Sequence, residues 1–422
     1  MPGNKRGISF ELDADGAQNL AQIIGFVRAA RTATRPEITQ ATSLSRSLAT
    51  KYVDIACDLN LLKNGEIGQS TGGRAPQLLN FNQKAGHILV AELGATGFHV
   101  AASNLTGDLI GVSYVDANVA NGPDTVLGLV EKKFEELIAS NKIKNLWGIG
   151  IGVPGPVEFA TGTPISPPIM PGWDRYPIRD RFSKKFGVPV WIDNDVNLMA
   201  LGEHALRKDP LTSELIFIKI GSGIGAGILT HAQLHRGAQG CAGDIGHIAI
   251  GSENLTCRCG NTGCLEAIAG GLALSRDAEV AAKKGTSPYL AKLSKSKSKL
   301  TSQDVIAGSD RGDRWCVETI VNAGKNIGSV LATLVNFHNP SLIVIGGSVS
   351  AAGDKLLAAI RETVLNRSLP LATRDLQIRL SEFQNQAGLT GAAEMVIGEL
   401  FESATLRKWV AQGHPSPNVI HP

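Results

Sequence analysis

Net charge is nearly absent from this chain. Its 422 residues sum to a formal +3, too little to attract nucleic acid through bulk electrostatics, so any such contact must be local. Long apolar runs are missing as well: no stretch approaches the roughly 18 apolar residues that a membrane span requires. Met1–Asp15 has no apolar core of signal-peptide length and carries Glu11, Asp13 and Asp15. The expectation is a cytoplasmic protein with no membrane partner. Aromatics are few, at 5%, and cysteines number six. Three of those crowd together as Cys257, Cys259 and Cys264; disulfide frameworks spread their cysteines, whereas metal sites cluster them. Collagen-type repeats and low-complexity tracts are also lacking, so the 48 glycines point to tight turns and close backbone approach to ligands. The length suggests two to four domains at roughly 100–200 residues each.

The first segment reads as helices. Leu20, Ile23, Ile24 and Val27 fall on one helical face. Thr34 fits an N-cap with Glu37 at the capping-box position and Pro36 in the first turn. Ser45 is a second N-cap candidate, followed by an apolar stripe of Leu48, Tyr52, Ile55, Leu59 and Leu62. A short helix, a tight turn and a longer helix with a polar, basic start make a helix-turn-helix pattern. Leu62–Phe81 then reads as a hairpin whose tip is Gly72-Gly73-Arg74-Ala75-Pro76, the wing of a winged helix. Between Phe26 and Asn82 stand seven basic residues and four acids, the local basic excess that DNA contact needs. An ordinary three-helix bundle with solvated charges is the bland alternative.

Beyond a boundary near Asn82–Ala85, an internal repeat emerges. Ile88–Thr96 resembles Ile216–Gly223: each is an apolar strand entering a glycine turn, then a second apolar stretch. Two such openings predict two related α/β halves. The turns at Gly94-Ala95-Thr96 and Gly221–Gly227, with Gly346-Gly347 after a third strand, could present backbone amides to phosphate, although hairpin turns need glycine anyway. Asp193-Asn194-Asp195-Val196-Asn197 stands where a strand ends and a helix begins. One carboxylate there can take a proton from an attacking hydroxyl, or a residue can simply cap the helix. His247 with Cys257, Cys259 and Cys264 supplies an imidazole and three thiolates, a closed tetrahedral zinc shell of the structural kind.

Together Gly243-Asp244-Ile245-Gly246-His247, the Cys257-x-Cys259-Gly260-x-x-Gly263-Cys264-x-Glu266 run, Asn194-Asp195 and the two glycine turns resemble the ROK family of repressors, open reading frames and sugar kinases. The resemblance spans about Gly86 to Phe401. It implies an actin-like, ribonuclease-H-like pair of lobes with sugar in the cleft, and a winged helix-turn-helix in front marks the repressor branch. The expected division is 1–82 winged helix, 86–195 first lobe, 196–385 second lobe with one zinc, and 386–422 a helix returning to the first lobe plus a tail.

By the same resemblance, Asp195 matches the catalytic base of the kinases. Asn194, Asp195, Asp244, His247 and Glu266 match sugar-binding positions, with His247 shared between zinc and sugar. Glu92, Gly94, Thr96, Gly221, Gly223, Gly225, Gly346 and Gly347 match nucleotide and phosphate positions. Glu92 and Asp244 depart from the kinase pattern by one methylene each, which bears on phosphoryl transfer because that step depends on positioning. ATP and magnesium are expected only if kinase activity persists. Arg35, Ser45, Arg46, Ser47, Thr50, Lys51 and Arg74 are the expected DNA contacts. The expected whole is a homodimer or dimer of dimers on operator DNA, responding to a sugar or sugar phosphate. The rivals are an ATP-dependent sugar kinase and a sugar-binding scaffold whose winged helix contacts protein.

Overall fold

Capping side chains set the first helices. Asp13 accepts a hydrogen bond from the Gly16 amide at 2.7 Å and starts the helix Ala14–Ala30. Thr34 and Glu37 form a full capping box at the head of the short helix Arg35–Thr42. Ser43, in a left-handed conformation, ends that helix, and the Ser45 hydroxyl accepts from the Leu48 amide to start Arg46–Asp58. The computed structural model describes residues 11–67, 77–251, 255–383 and 385–421; the tip of the predicted wing, including Arg74, lies outside them. Strands Leu62–Ile67 and Gln77–Phe81 pair antiparallel, and Thr32–Thr34 joins the other edge of Gln77–Phe81.

The predicted stripe holds at Tyr52, Ile55, Leu59 and Leu62, but Leu48 is 40% exposed. It sits in the first turn, at the edge of a buried face centred on Ala49, Tyr52, Val53 and Ala56.

The internal repeat becomes two sheets of five strands each. The first contains His87–Leu93, Gly97–Asn104, Leu109–Asp116, Leu146–Val153 and Val190–Asn194; the second contains Leu215–Ile220, Ile224–Thr230, Gln233–Leu234, Leu342–Gly346 and Gln377–Leu380. Taken in chain order, both sheets run third, second, first, fourth, fifth. In both, the first three strands form an antiparallel meander and the last two lie parallel to the first. Such topology puts the carboxyl ends of the first, fourth and fifth strands of each sheet at one edge, where ligands gather in open α/β sheets.

The helix Asn385–Phe401 leaves the second sheet and packs on the first, burying Leu389, Ala392, Val396 and Ile397. Trp409, from Ser403–Val410, is fully buried; its indole donates to the Leu400 carbonyl at 2.8 Å and meets Trp147 edge-on at 5.4 Å. One continuous core therefore runs from Val27 and Phe81 through Trp147 to Phe401 and Trp409. Arg28 strengthens this join, donating to both carboxylate oxygens of Glu394 at 2.6 and 2.7 Å and to the Leu105 carbonyl at 2.9 Å. No helix among the described residues is long and apolar enough to cross a membrane.

Candidate functional site

Between the sheets lies a cleft of about 820 Å³. Asn194, Asp195, Asp244, His247 and Glu266 all line it, as do Glu92, Gly94, Thr96, Gly221, Gly223, Gly225, Gly346 and Gly347. Residues scattered over most of the chain thus converge on one space. Pro168 and Ile169, from the proline-rich segment, supply part of its apolar wall.

The run after strand Val190–Asn194 divides its labour. Asn194 is the helix cap: its Oδ1 accepts from the Val196 amide and its Nδ2 donates to the Gly155 carbonyl, both at 2.9 Å. Asp193 is buried, accepting from Asn197 Nδ2 at 2.8 Å and from Arg236 Nε at 2.7 Å. Asp195 opens the helix Asp195–Arg207, and its Oδ2 accepts a hydrogen bond from Lys219 Nζ. Capping and cleft-lining readings are both satisfied: Asn194 caps the helix, and Asn194, Asp195 and Asn197 line the cleft.

Lys219 was not legible as a site residue, because it stands as a lone charge within the apolar strand Leu215–Ile220. Burial works against its ammonium, but Asp195 and Glu92 outweigh that and raise its pKa above the ordinary lysine value. Glu92 faces the same ammonium. Its Oε2 is buried without a hydrogen-bond partner among the described residues. A Cβ on Gly388 would stand 2.1 Å from that atom, so glycine on the returning helix leaves room for the Glu92 carboxylate in this position.

Burial, opposed by Lys219 and reinforced by Asp195, pushes the Glu92 pKa from 4.5 up to about 7. The folded state then holds more protons than the unfolded state between those values. Stability from this group is present below about 4.5 and lost as pH rises through about 7. Glu92→Gln is expected to flatten that decline by about 2–4 kcal/mol at most. Urea unfolding of both proteins across the interval measures the difference, and parallel profiles would refute it.

The glycine turns close on themselves. The Gly94 amide donates to Gly97 O at 2.7 Å, and the Gly221 amide to Gly223 O at 2.9 Å. Their hairpin role is therefore real, while the turns also wall the cleft. Gly243, at φ +103°, lets the Gly243–His247 loop lie flush on strand Ile224–Thr230, where a Cβ would come within 2.0 Å of the Ala226 carbonyl. Glu266 is held by the Ile224 amide, which donates to its Oε2 at 3.0 Å.

Next to this wall, His247, Cys257, Cys259 and Cys264 place their ligand atoms within 4.8 Å of one another. His247 Nδ1 is 3.7 Å from Cys257 Sγ, and the sulfurs of Cys259 and Cys264 are 3.8 Å apart. A tetrahedral ion with metal–sulfur bonds of about 2.3 Å requires edges of about 3.8 Å. The four groups fit such a metal. Cys57, Cys241 and Cys316 stand apart as free thiols.

Arg46, Ser47, Thr50 and Lys51 share the exposed face of the helix Arg46–Asp58. Arg46 and Lys51 make no ion pair among the described residues. Arg35 instead pairs with Asp54 at 2.8 Å, and the Ser45 hydroxyl is spent on its cap. Arg236, also missed in the sequence, bridges the lobes: it pairs with Asp193 and stacks 3.8 Å over Phe159.

Comparison with known proteins places this architecture. The xylose repressor of Caldicellulosiruptor bescii is 32% identical over 373 residues, covering 87% of this chain and 92% of its own length. The glucokinase of Halalkalibacterium halodurans is 31% identical over 308 residues, covering 72% of this chain and 93% of its own. A crystal structure of a ROK family transcriptional regulator, a homologue of the Escherichia coli Mlc protein, superposes with a TM-score of 0.81 at 24% identity, over 95% of this chain and all of that one. Residues 89–399 match the ROK family as a whole. With two lobes of equal topology about one cleft, the chain belongs to the ROK family.

Proposed function

We propose that the chain is a sugar-responsive transcriptional regulator, most directly a repressor, that binds operator DNA through residues 1–82 and a sugar in the cleft. The observation that carries this reading is the docking of a helix-turn-helix onto the lobe that forms one wall of the acid-lined cleft, through Arg28–Glu394 and a continuous core. The likeness to a repressor over 87% of the chain, against 72% for a kinase, supports it. Arg46, Ser47, Thr50 and Lys51 would read the major groove, with the exposed Leu48 beside them suited to a thymine methyl. Arg35 and Arg74 would contact backbone or minor groove.

One such domain offers a small interface, so a homodimer on a two-fold operator is the working unit. Zinc would fill the site of His247, Cys257, Cys259 and Cys264 with no coordination position left open, shaping the sugar wall and performing no chemistry. Asp195, Asp244, Glu266 and the free ring nitrogen of His247 would bind sugar hydroxyls.

Gel-shift titration against DNA upstream of the chain's own coding sequence, over a panel of sugars, tests the proposal. One fragment should shift, and one sugar class should change its affinity. No shift anywhere, or identical shifts with every sugar, would overturn it. Arg46→Ala is expected to weaken operator binding by about tenfold to a hundredfold, from the 1–3 kcal/mol typical of a base contact.

A further inference from the structure

Among the described residues that line the cleft, four are carboxylates, Glu92, Asp195, Asp244 and Glu266, and the only lysine or arginine is Lys219. That single cation is already engaged, because its Nζ donates to Asp195 and lies in the field of Glu92. A phosphoryl-transfer site needs a divalent cation held by carboxylates at this kind of position, to neutralise the phosphate oxygens. Here the ammonium already occupies the buried Asp195 carboxylate that such an ion would use. The residues present therefore do not fit a magnesium–nucleotide pair.

We propose that Lys219 is a built-in counter-cation that occupies Asp195 in place of a divalent metal, and so restricts the cleft to uncharged sugars bound without magnesium. The inference rests on the sugar-sensor reading for its ligand, though not for its metal. Three physical points support it. Glu92 and Asp195 are 7% and 2% exposed, so two charges of one sign would be costly there without a cation. Lys219 lines the cleft with its side chain 21% exposed, within reach of a ligand. A phosphate ester entering the site would meet three further carboxylates and, among the described residues, no unpaired lysine or arginine, whereas neutral hydroxyls can donate to those same acceptors.

The test compares wild type, Lys219→Met and Lys219→Arg as full-length, zinc-replete protein. Thermal unfolding is followed with no added divalent ion and with millimolar magnesium, an oxygen-seeking ion that does not compete for the thiolates. Wild type and Lys219→Arg should show no magnesium-dependent shift. Lys219→Met should unfold at lower temperature and regain several degrees with magnesium, as its freed carboxylates take up the ion.

Calorimetric titration of wild type with pentoses, hexoses and their phosphate esters gives the second readout. Free sugars should bind equally with and without magnesium, and esters at least tenfold more weakly. A magnesium-dependent shift in wild type would overturn the proposal, as would esters binding more tightly than free sugars. If Lys219→Met does not fold, the wild-type magnesium comparison still decides the metal claim. Binding of no sugar of either kind would defeat the sensor reading and leave that comparison standing.

Discussion

Cys264→Ser is expected to empty the metal site and abolish the response to sugar. Cys264 is fully buried, while Cys259 is exposed, so the serine would face the metal from the closed side of the shell. A hydroxyl is a poor substitute for a thiolate toward zinc. Three ligands would remain on a segment with little regular structure: among the described residues of 244–264 stand a short turn at Ile245–His247, two isolated bridges, Ala249 with Cys264 and Thr256 with Thr262, and a few backbone hydrogen bonds such as Ile250 N–H to the Gly263 carbonyl. That loop carries Asp244 and His247 and leads directly into the helix Leu265–Ala269, which carries Glu266. Two of the five expected sugar contacts thus lie on the segment the ion would close, and a third, Glu266, follows directly after it.

Metal analysis should fall from about one zinc per chain to near none. Sugar affinity should drop by about tenfold to a hundredfold or more, the range seen when groups orienting a metal site are lost. Operator binding itself should survive, because the helix Arg46–Asp58 lies in a different part of the chain. Cys241→Ser, at an exposed thiol outside the cluster, is the control and should change neither readout. A Cys264→Ser protein that keeps its metal and its sugar response would remove zinc from the account.

The features visible in the sequence are those written in short spans. The capping box at Thr34 and Glu37 and the cap at Ser45 are local, and they appear as predicted. The repeat at Ile88–Thr96 and Ile216–Gly223 announced two halves, because each opening hairpin is contiguous. The remaining strands of each sheet are separated by long helical insertions, so their common order emerges only in three dimensions. Lys219 and Asp195 are 24 residues apart, and Arg236 and Asp193 are 43 apart. Neither pair leaves a periodic trace. A single lysine in Leu215–Ile220 was the one available signal, and strand alternation explains such a residue without any site. Leu48 shows the reverse error: helical spacing placed it in the stripe, but its position in the first turn leaves it outside the buried face.

Gly391→Ala should be among the most disruptive single-atom additions in the molecule. The helix Asn385–Phe401 crosses Asp195–Arg207 so closely that a Cβ on Gly391 would stand 1.7 Å from the Leu198 carbonyl oxygen. A Cβ on Gly202 would meet the Ala387 carbonyl at the same 1.7 Å. Both obstacles are backbone atoms within helices, so neither can yield by changing rotamer. An alanine in mid-helix ordinarily stabilises by about 1 kcal/mol over glycine; here overpacking should outweigh that and cost about 1–3 kcal/mol net.

The crossing also ties the cleft to the DNA-binding segment. One end of the helix Asn385–Phe401 places Gly388 against Glu92, and its middle places Glu394 on Arg28. Forcing the helices apart should uncouple sugar binding from DNA binding. Glu394→Gln separates the two effects, because it keeps the crossing and removes only the carboxylate charge that pairs with Arg28, in a partly buried pair. Its sugar affinity should match wild type, while the ratio of operator affinities with and without saturating sugar should move toward one. Unfolding midpoints and operator titrations on the two variants measure this. Wild-type stability in Gly391→Ala would mean that the helices do not make this close crossing. An unchanged affinity ratio in Glu394→Gln would mean that the signal reaches the DNA by another route.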